Sequence, residues 1–150
     1  MGLLAGETFD RLVIGFHAWK YVDITSWANY SRHADLGNGI IVYPIEAIGG
    51  SILLLISSII LLRNKSDKPH KLSFLQIHLA TLFSLVGLFL TFLAGPFMLS
   101  VKHLNDPDLL QNAFDKFYYW STFRGIAHIL SFIFSILGMV TLFGDRKHSV

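Results

Sequence analysis

The stretch Leu72–Val101, LSFLQIHLATLFSLVGLFLTFLAGPFMLSV, runs for 30 residues without an Asp, Glu, Lys or Arg. About 20 apolar residues are enough to carry a helix across a hydrocarbon core of about 30 Å. The stretch therefore reads as a membrane span. Working outward, Ile40–Leu62 contains a single charge, Glu46, and Phe117–Phe143 contains one, Arg124. The whole chain has 53% hydrophobic and only 15% charged residues, where soluble domains average about 25% charged. These runs predict an all-α fold, an integral membrane helix bundle.

The first 21 residues are harder to place. AGETFDRLVIGFHAWKY, Ala5–Tyr21, is apolar but carries Glu7, Asp10, Arg11 and His17. A cleaved signal peptide is not expected, because the start lacks basic residues and acids interrupt the apolar part. A central Asp or Arg costs about 2.5–3.5 kcal/mol on insertion while a Leu returns only about 0.5. At 100° per residue, Glu7, Asp10, Arg11, Ile14, His17 and Tyr21 share one helical face. A helix of this kind can turn its ionisable stripe to partner helices and its apolar side to lipid. The expectation is a first span held by the bundle, with an amphipathic surface helix as the alternative. The chain then forms a single domain over residues 1–150, with spans at about 2–21, 44–62, 72–100 and 117–143.

The connection from Arg63 to Lys71 holds four basic residues, and Arg146 and Lys147 follow the last span. The opposite side offers Lys20, Arg32, Lys102 and Lys116, so the basic bias places both termini in the cytoplasm. All three Trp (19, 27, 120) and all five Tyr (21, 30, 43, 118, 119) gather toward the other end. They form either an interfacial belt or a roof above a pocket. Asp23–Ala34 is expected to make a short interfacial helix, followed by a turn at Asp35–Gly39. Pro44 falls in the first turn of the second span, and Asn105–Asp108 reads as the cap that starts a helix leading into the fourth.

Each span also carries a special face. Glu46, Gly49, Gly50, Leu53 and Ser57 align in the second; Thr81, Ser84, Leu88, Thr91 and Gly95 in the third, with His78 at the edge. In the fourth, Trp120, Arg124, Ala127, His128, Ser131, Ser135 and Gly138 align. Small and hydroxyl residues in a row allow close helix packing in lipid. Depths from a rise of about 1.5 Å per residue predict that Arg124 meets Glu46 and that Arg11 meets Asp10 or Glu7. Two arginines against three carboxylates leave one negative charge, so a carboxyl or a histidine is expected to hold a proton. Such ionisable groups inside a membrane point to function, although buried ion pairs that only fix assembly remain the alternative.

No metal or other cofactor is expected. Cysteine is absent, which excludes disulfides and thiolate sites. The Glu-x-x-His pairs of a diiron bundle are missing, and His78 and His128 are expected about two turns apart in depth, against a shared haem. His33, His70, His103 and His148 fall in loops or tails. A net charge of +2 gives no reason to expect nucleic acid.

Phe92-Leu-Ala-Gly-Pro-Phe-Met-Leu99, the polar connection after it, and Trp120-Ser-Thr-Phe-Arg124 resemble the anthrone-oxygenase-like family of small four-span membrane proteins. Tyr30-Ser-Arg-His-Ala-Asp-Leu-Gly-Asn-Gly39, followed by Tyr43-Pro44, is similar to a bacterial branch of it. The resemblance implies a membrane bundle in a bacterial inner membrane and, for some members, oxygenation of polycyclic phenols without an evident metal or flavin. Trp120 and Arg124 match the family's start of the fourth span; the charged first span departs from the family's more apolar one.

Three readings follow. In the first, the protein is an enzyme acting on a small hydrophobic or aromatic molecule: His128 accepts the proton, Arg124 stabilises an oxyanion and Glu46 orients Arg124. Trp120, His17, Asp10, Arg11, Glu7, His78 and Thr91 are expected to line the binding site. In the second, the polar column binds membrane lipid or another small ligand without turnover. In the third, the protein is a proton-coupled carrier, which at this size requires a homo-oligomer.

Overall fold

The structure, a computed structural model, describes residues 1–63 and 71–147, the side chains of 145–147 excepted. The expected basic connection, His70 and His148 lie outside the described residues, as do the side chains of Arg146 and Lys147. Among the described residues every regular element is helical. Helix α1 (Gly2–Asp10) passes through a π-helical turn, Arg11–Gly15, into α2 (Phe16–Trp19). Then come α3 (Ile24–His33), a second π-helical turn (Ala34–Asn38), α4 (Gly39–Arg63), α5 (Lys71–Ser100) and α6 (Pro107–Lys147).

Three helical stretches are long and apolar enough to cross a membrane: Ile24–Arg63, Lys71–Ser100 and Pro107–Gly144. At about 1.5 Å per residue, α4 and α5 alone measure roughly 38 and 45 Å, both more than a hydrocarbon core. Large apolar side chains such as Ile45, Leu53, Phe89, Phe92 and Val140 point outward, as helices do when their surroundings are apolar. The segment 2–19 is not among the three; it is shorter and carries Glu7, Asp10 and Arg11.

Two aspartates start helices. Asp23 accepts hydrogen bonds from the Thr25 and Ser26 backbone N–H groups, each at 3.0 Å, satisfying donors that a helix start leaves free. Asp106 does the same for Asp108 and Leu109 at 2.9 and 3.1 Å, so α6 begins at the cap expected there. Arg32, counted from the sequence only among the basic residues of the outer side, ties α3 to the α5–α6 connection: it donates to the carbonyls of Val101 (3.1 Å) and Leu104 and to Asn105 Oδ1 (3.2 Å).

Small residues set the helix spacing. A Cβ on Gly87 would lie 2.4 Å from His128 Cε1, and one on Gly138 would lie 2.7 Å from Ile77 Cδ1. These two pairs run in opposite order along the chain, so α5 and α6 pack as an antiparallel hairpin. Ser131 Oγ crosses between them to the Ala80 carbonyl at 2.8 Å. Helix α4 joins α5 through Ser51 and Ser84, whose hydroxyls meet at 2.6 Å, and through Thr81 Oγ1 donating to the Leu54 carbonyl at 3.2 Å. The first segment lies against both α6, where Thr8 and Leu12 fill the space at Gly125, and α4, where Met1 meets Gly50.

Two expectations need correction here. The buried face of α4 is Ala47, Ser51, Leu54 and Ser58, not Glu46, Gly49, Leu53 and Ser57. The face is displaced by one residue because Ala47, Ser51 and Ser58 let the backbones approach and Ser51 gains a hydroxyl partner. Leu53 and Gly49 consequently face outward. The segment Asp35–Gly39 is not an exposed turn. It winds into α4 as a π turn kinked at Gly37 (φ −83°, ψ −112°), with Asp35 buried.

The aromatic residues are divided between roof and surface. Trp27 is fully buried among Phe16, Ala94, Val101, Leu110 and Phe114, with Trp19, Tyr118 and Trp120 packed on the same core. Tyr21, Tyr30 and Tyr119 are exposed.

Candidate functional site

Below this aromatic core lies a cavity of about 230 Å³. Helix α1 supplies Leu4, Glu7 and Thr8 to its wall; the two π turns supply Arg11, Asp35 and Leu36. Gly39, Ile40, Tyr43, Pro44 and Ala47 come from α4, and Thr91, Gly95, Met98 and Leu99 from α5. Helix α6 completes it with Phe117, Arg124 and His128.

One wall is an ion pair joining two parts of the chain. Arg11 Nη2 lies 2.5 Å from Asp35 Oδ1, and the same nitrogen donates to the Tyr43 hydroxyl at 3.2 Å. The guanidinium carbon stands 5.2 Å from the Tyr43 ring centroid and 5.9 Å from that of Trp19, within cation–π range. Each partner of the pair sits in one of the two π-helical turns. Such wide turns recur where a side chain must be aimed out of helical register. The expected meeting of Arg11 with Glu7 is present, but its closest partner is Asp35, twenty-four residues away. Glu7 stands 3.9 Å from Arg11, and Asp10 is exposed. A sequence signal for Asp35 existed: a lone acid just before Gly37 and Gly39, at the start of an apolar span, needs a basic partner if buried.

Helix α6 brings Arg124 and His128, one helical turn apart, to the same cavity. Arg124 makes no hydrogen bond and no ion pair within 4.0 Å among the described residues; its guanidinium carbon lies 5.8 Å from the Phe117 ring centroid. The Glu46 partner expected for it is therefore not found, because Glu46 sits one residue outside the packed face of α4. His128 is 1% exposed, its ring pressed on Gly87, and its Nδ1 is buried without a hydrogen-bond partner. Thr91 donates to the Gly87 carbonyl at 2.9 Å, fixing the helix wall beside that histidine.

The structure therefore brings Glu7, Arg11, Thr91, Arg124 and His128 to one cavity, as the polar column predicts, and adds Asp35 and Tyr43. It leaves Glu46, Asp10, His17, His78 and Trp120 off the wall. His17 is exposed beside Tyr21, and His78 packs over Phe74 while bonding that residue's carbonyl at 2.7 Å. Trp120 stands against Tyr119. The charge count changes accordingly: two arginines face two carboxylates, Glu7 and Asp35, and no excess negative charge demands a held proton. Among the described residues no cluster of His, Asp and Glu has the grouping needed for a metal ion.

No family model, curated protein or solved structure matches this chain.

Proposed function

We propose that the protein is an integral membrane enzyme that binds a small hydrophobic molecule carrying an acidic hydroxyl group. The observation that supports this is Arg124, a guanidinium without a carboxylate or hydrogen-bond partner among the described residues, lining the cavity one turn from His128 while the cavity's other arginine, Arg11, is already paired with Asp35. An acidic oxygen of the ligand completes Arg124, and charge-assisted hydrogen bonds of this kind are the strong ones. His128 then takes the hydroxyl proton, leaving an oxyanion held by Arg124. The Arg11–Asp35 pair closes the far wall. In this reading the first segment is a fourth pass, docked by that pair and by Gly125 and Gly50, and both termini lie on the cytoplasmic side of a bacterial inner membrane. The resemblance to anthrone-oxygenase-like proteins supports O₂ as the co-substrate meeting the electron-rich anion.

A second reading, ligand binding without turnover, draws on the tight seating of the His128 ring against Gly87. The carrier reading gains less support, because His78 lies off the cavity wall and the polar column is interrupted there. The test uses purified protein in lipid nanodiscs with a panel of weakly acidic aromatic molecules. Arg124→Gln should weaken binding by about 10- to 100-fold, the loss of roughly 1.5–3 kcal/mol. His128→Ala should keep binding and stop ligand-dependent O₂ uptake. Binding with no O₂ uptake by the unmodified protein would select the second reading, and no loss on Arg124→Gln would reject both.

A further inference from the structure

Most lining residues are buried or half-buried, and the exposed ones sit at the start of α4 and near the end of α5. Ile40 is 48% and Leu99 51% exposed, and Pro44 is exposed as well. Ile40 and Pro44 are one turn apart at the start of α4; Gly95 and Leu99 are one turn apart near the end of α5. The two pairs border the cavity on one side, and a Cβ on Gly95 would meet no atom within 4 Å. Around this gap stand further exposed apolar side chains, Ile41, Ile45 and Phe92. No charged residue of α4 or α5 lines the cavity: its lining charges, Glu7, Arg11, Asp35 and Arg124, come from α1, the two π turns and α6.

We infer that this gap between α4 and α5 is the mouth of the site, that it opens sideways into the acyl phase, and that Gly95 keeps it clear. The inference rests on the reading of the cavity as a ligand site and narrows its ligand. A cavity of about 150 Å³ lined by apolar residues takes up one benzene ring; at about 230 Å³ this one holds a substituted single ring or two fused rings. A molecule that reaches it through lipid must also be uncharged on the way in. The ligand class is thus a one- or two-ring weak acid that partitions into the bilayer in its neutral form and meets Arg124 inside.

The probe is 1-naphthol, whose own fluorescence reports binding, set against its permanently charged 4-sulfonate, both with protein in phosphatidylcholine nanodiscs. Gly95→Trp fills the mouth, whereas Gly49→Trp adds the same ring at another position with nothing within 4 Å and off the cavity. Near-UV circular dichroism and gel filtration check that both variants keep the fold. Gly95→Trp should weaken 1-naphthol binding at least about tenfold, Gly49→Trp should leave it within about twofold, and the sulfonate should bind at least about tenfold more weakly. If 1-naphthol binds, and is lost with Arg124→Gln, yet Gly95→Trp binds it normally or the sulfonate binds equally well, the sideways mouth is wrong while the site stands. If the unmodified protein binds neither compound, the site reading fails and the mouth with it.

Discussion

Replacing Asp35 by Leu tests the contact on which the whole cavity wall depends. The carboxylate is 3% exposed and the guanidinium of Arg11 13% exposed, at 2.5 Å from each other. Removing one member of a buried pair costs about 3–5 kcal/mol, because the remaining charge is left uncompensated. Arg11 would keep Tyr43 at 3.2 Å and Glu7 at 3.9 Å, so the lower end, about 3 kcal/mol, applies. For a chain of this size each kcal/mol corresponds to about 2–4 °C in melting temperature, which places the expected fall at roughly 6–12 °C. Arg11→Met should do more, since Asp35 Oδ2 already lacks a partner and both oxygens would then be stranded. The double variant Arg11→Met/Asp35→Leu should recover most of the loss, as apolar replacements of buried ion pairs often do. The assay is thermal unfolding in detergent, followed by the near-UV circular dichroism of the buried tryptophans. A fall of less than about 2 °C for Asp35→Leu, or a double variant as unstable as the two single losses added together, would refute the docking of the first segment by this pair.

Two further outcomes follow from local geometry. Gly87→Ala places a methyl 2.4 Å from the His128 ring; it should destabilise the bundle by about 1–3 kcal/mol and move the imidazole resonances of His128 in an NMR spectrum, and unmoved resonances would show that the ring does not lie on Gly87. The hydrogen bonds from Ser26 and Thr25 hold the Asp23 carboxyl down to about 2, from an ordinary 3.8. Because the folded value is the lower one, the cap is intact above about pH 4 and is lost as pH falls toward 2; Thr25 and Ser26 amide protection should vanish over that window, and protection unaffected at pH 2 would count against the cap.

Much of this fold was legible because hydropathy and small-residue spacing act along one helix at a time. The apolar run 72–101 became α5 almost residue for residue, and the row Ala127, His128, Ser131 and Gly138 became the buried side of α6. The cap within Asn105–Asp108 was legible for the same local reason. What depended on three dimensions was not. On α4 the faces beginning at Glu46 and at Ala47 both offer small residues, and only the hydroxyl of Ser84 on a different helix decides between them. Depth arithmetic along straight helices paired Arg11 with neighbours in its own segment. It could not foresee two π turns, each of which shifts the register by about one residue, or a buried Asp35 reached only through them. The placement of Asp10 and His17 outside the site follows from the same shift, since the ionisable stripe of a regular helix is split when its middle is widened.

The contrast between the two arginines carries the chemistry. A guanidinium in a low-dielectric wall is costly unless oxygen atoms receive its donors. Arg11 receives a carboxylate and a phenol oxygen from its own chain, and it spends its binding capacity on holding α1 against α4. Arg124, in the same cavity, receives only the ring of Phe117 and the more distant fields of Glu7 and Asp35. A purely structural pair would have been cheaper to complete on α4, where Glu46 lies one residue away from the packed face. Instead the small residues Ala47 and Ser51 take that face and keep the carboxylate out. The packing that seats α4 on α5 is thus the same packing that leaves Arg124 without a carboxylate from α4.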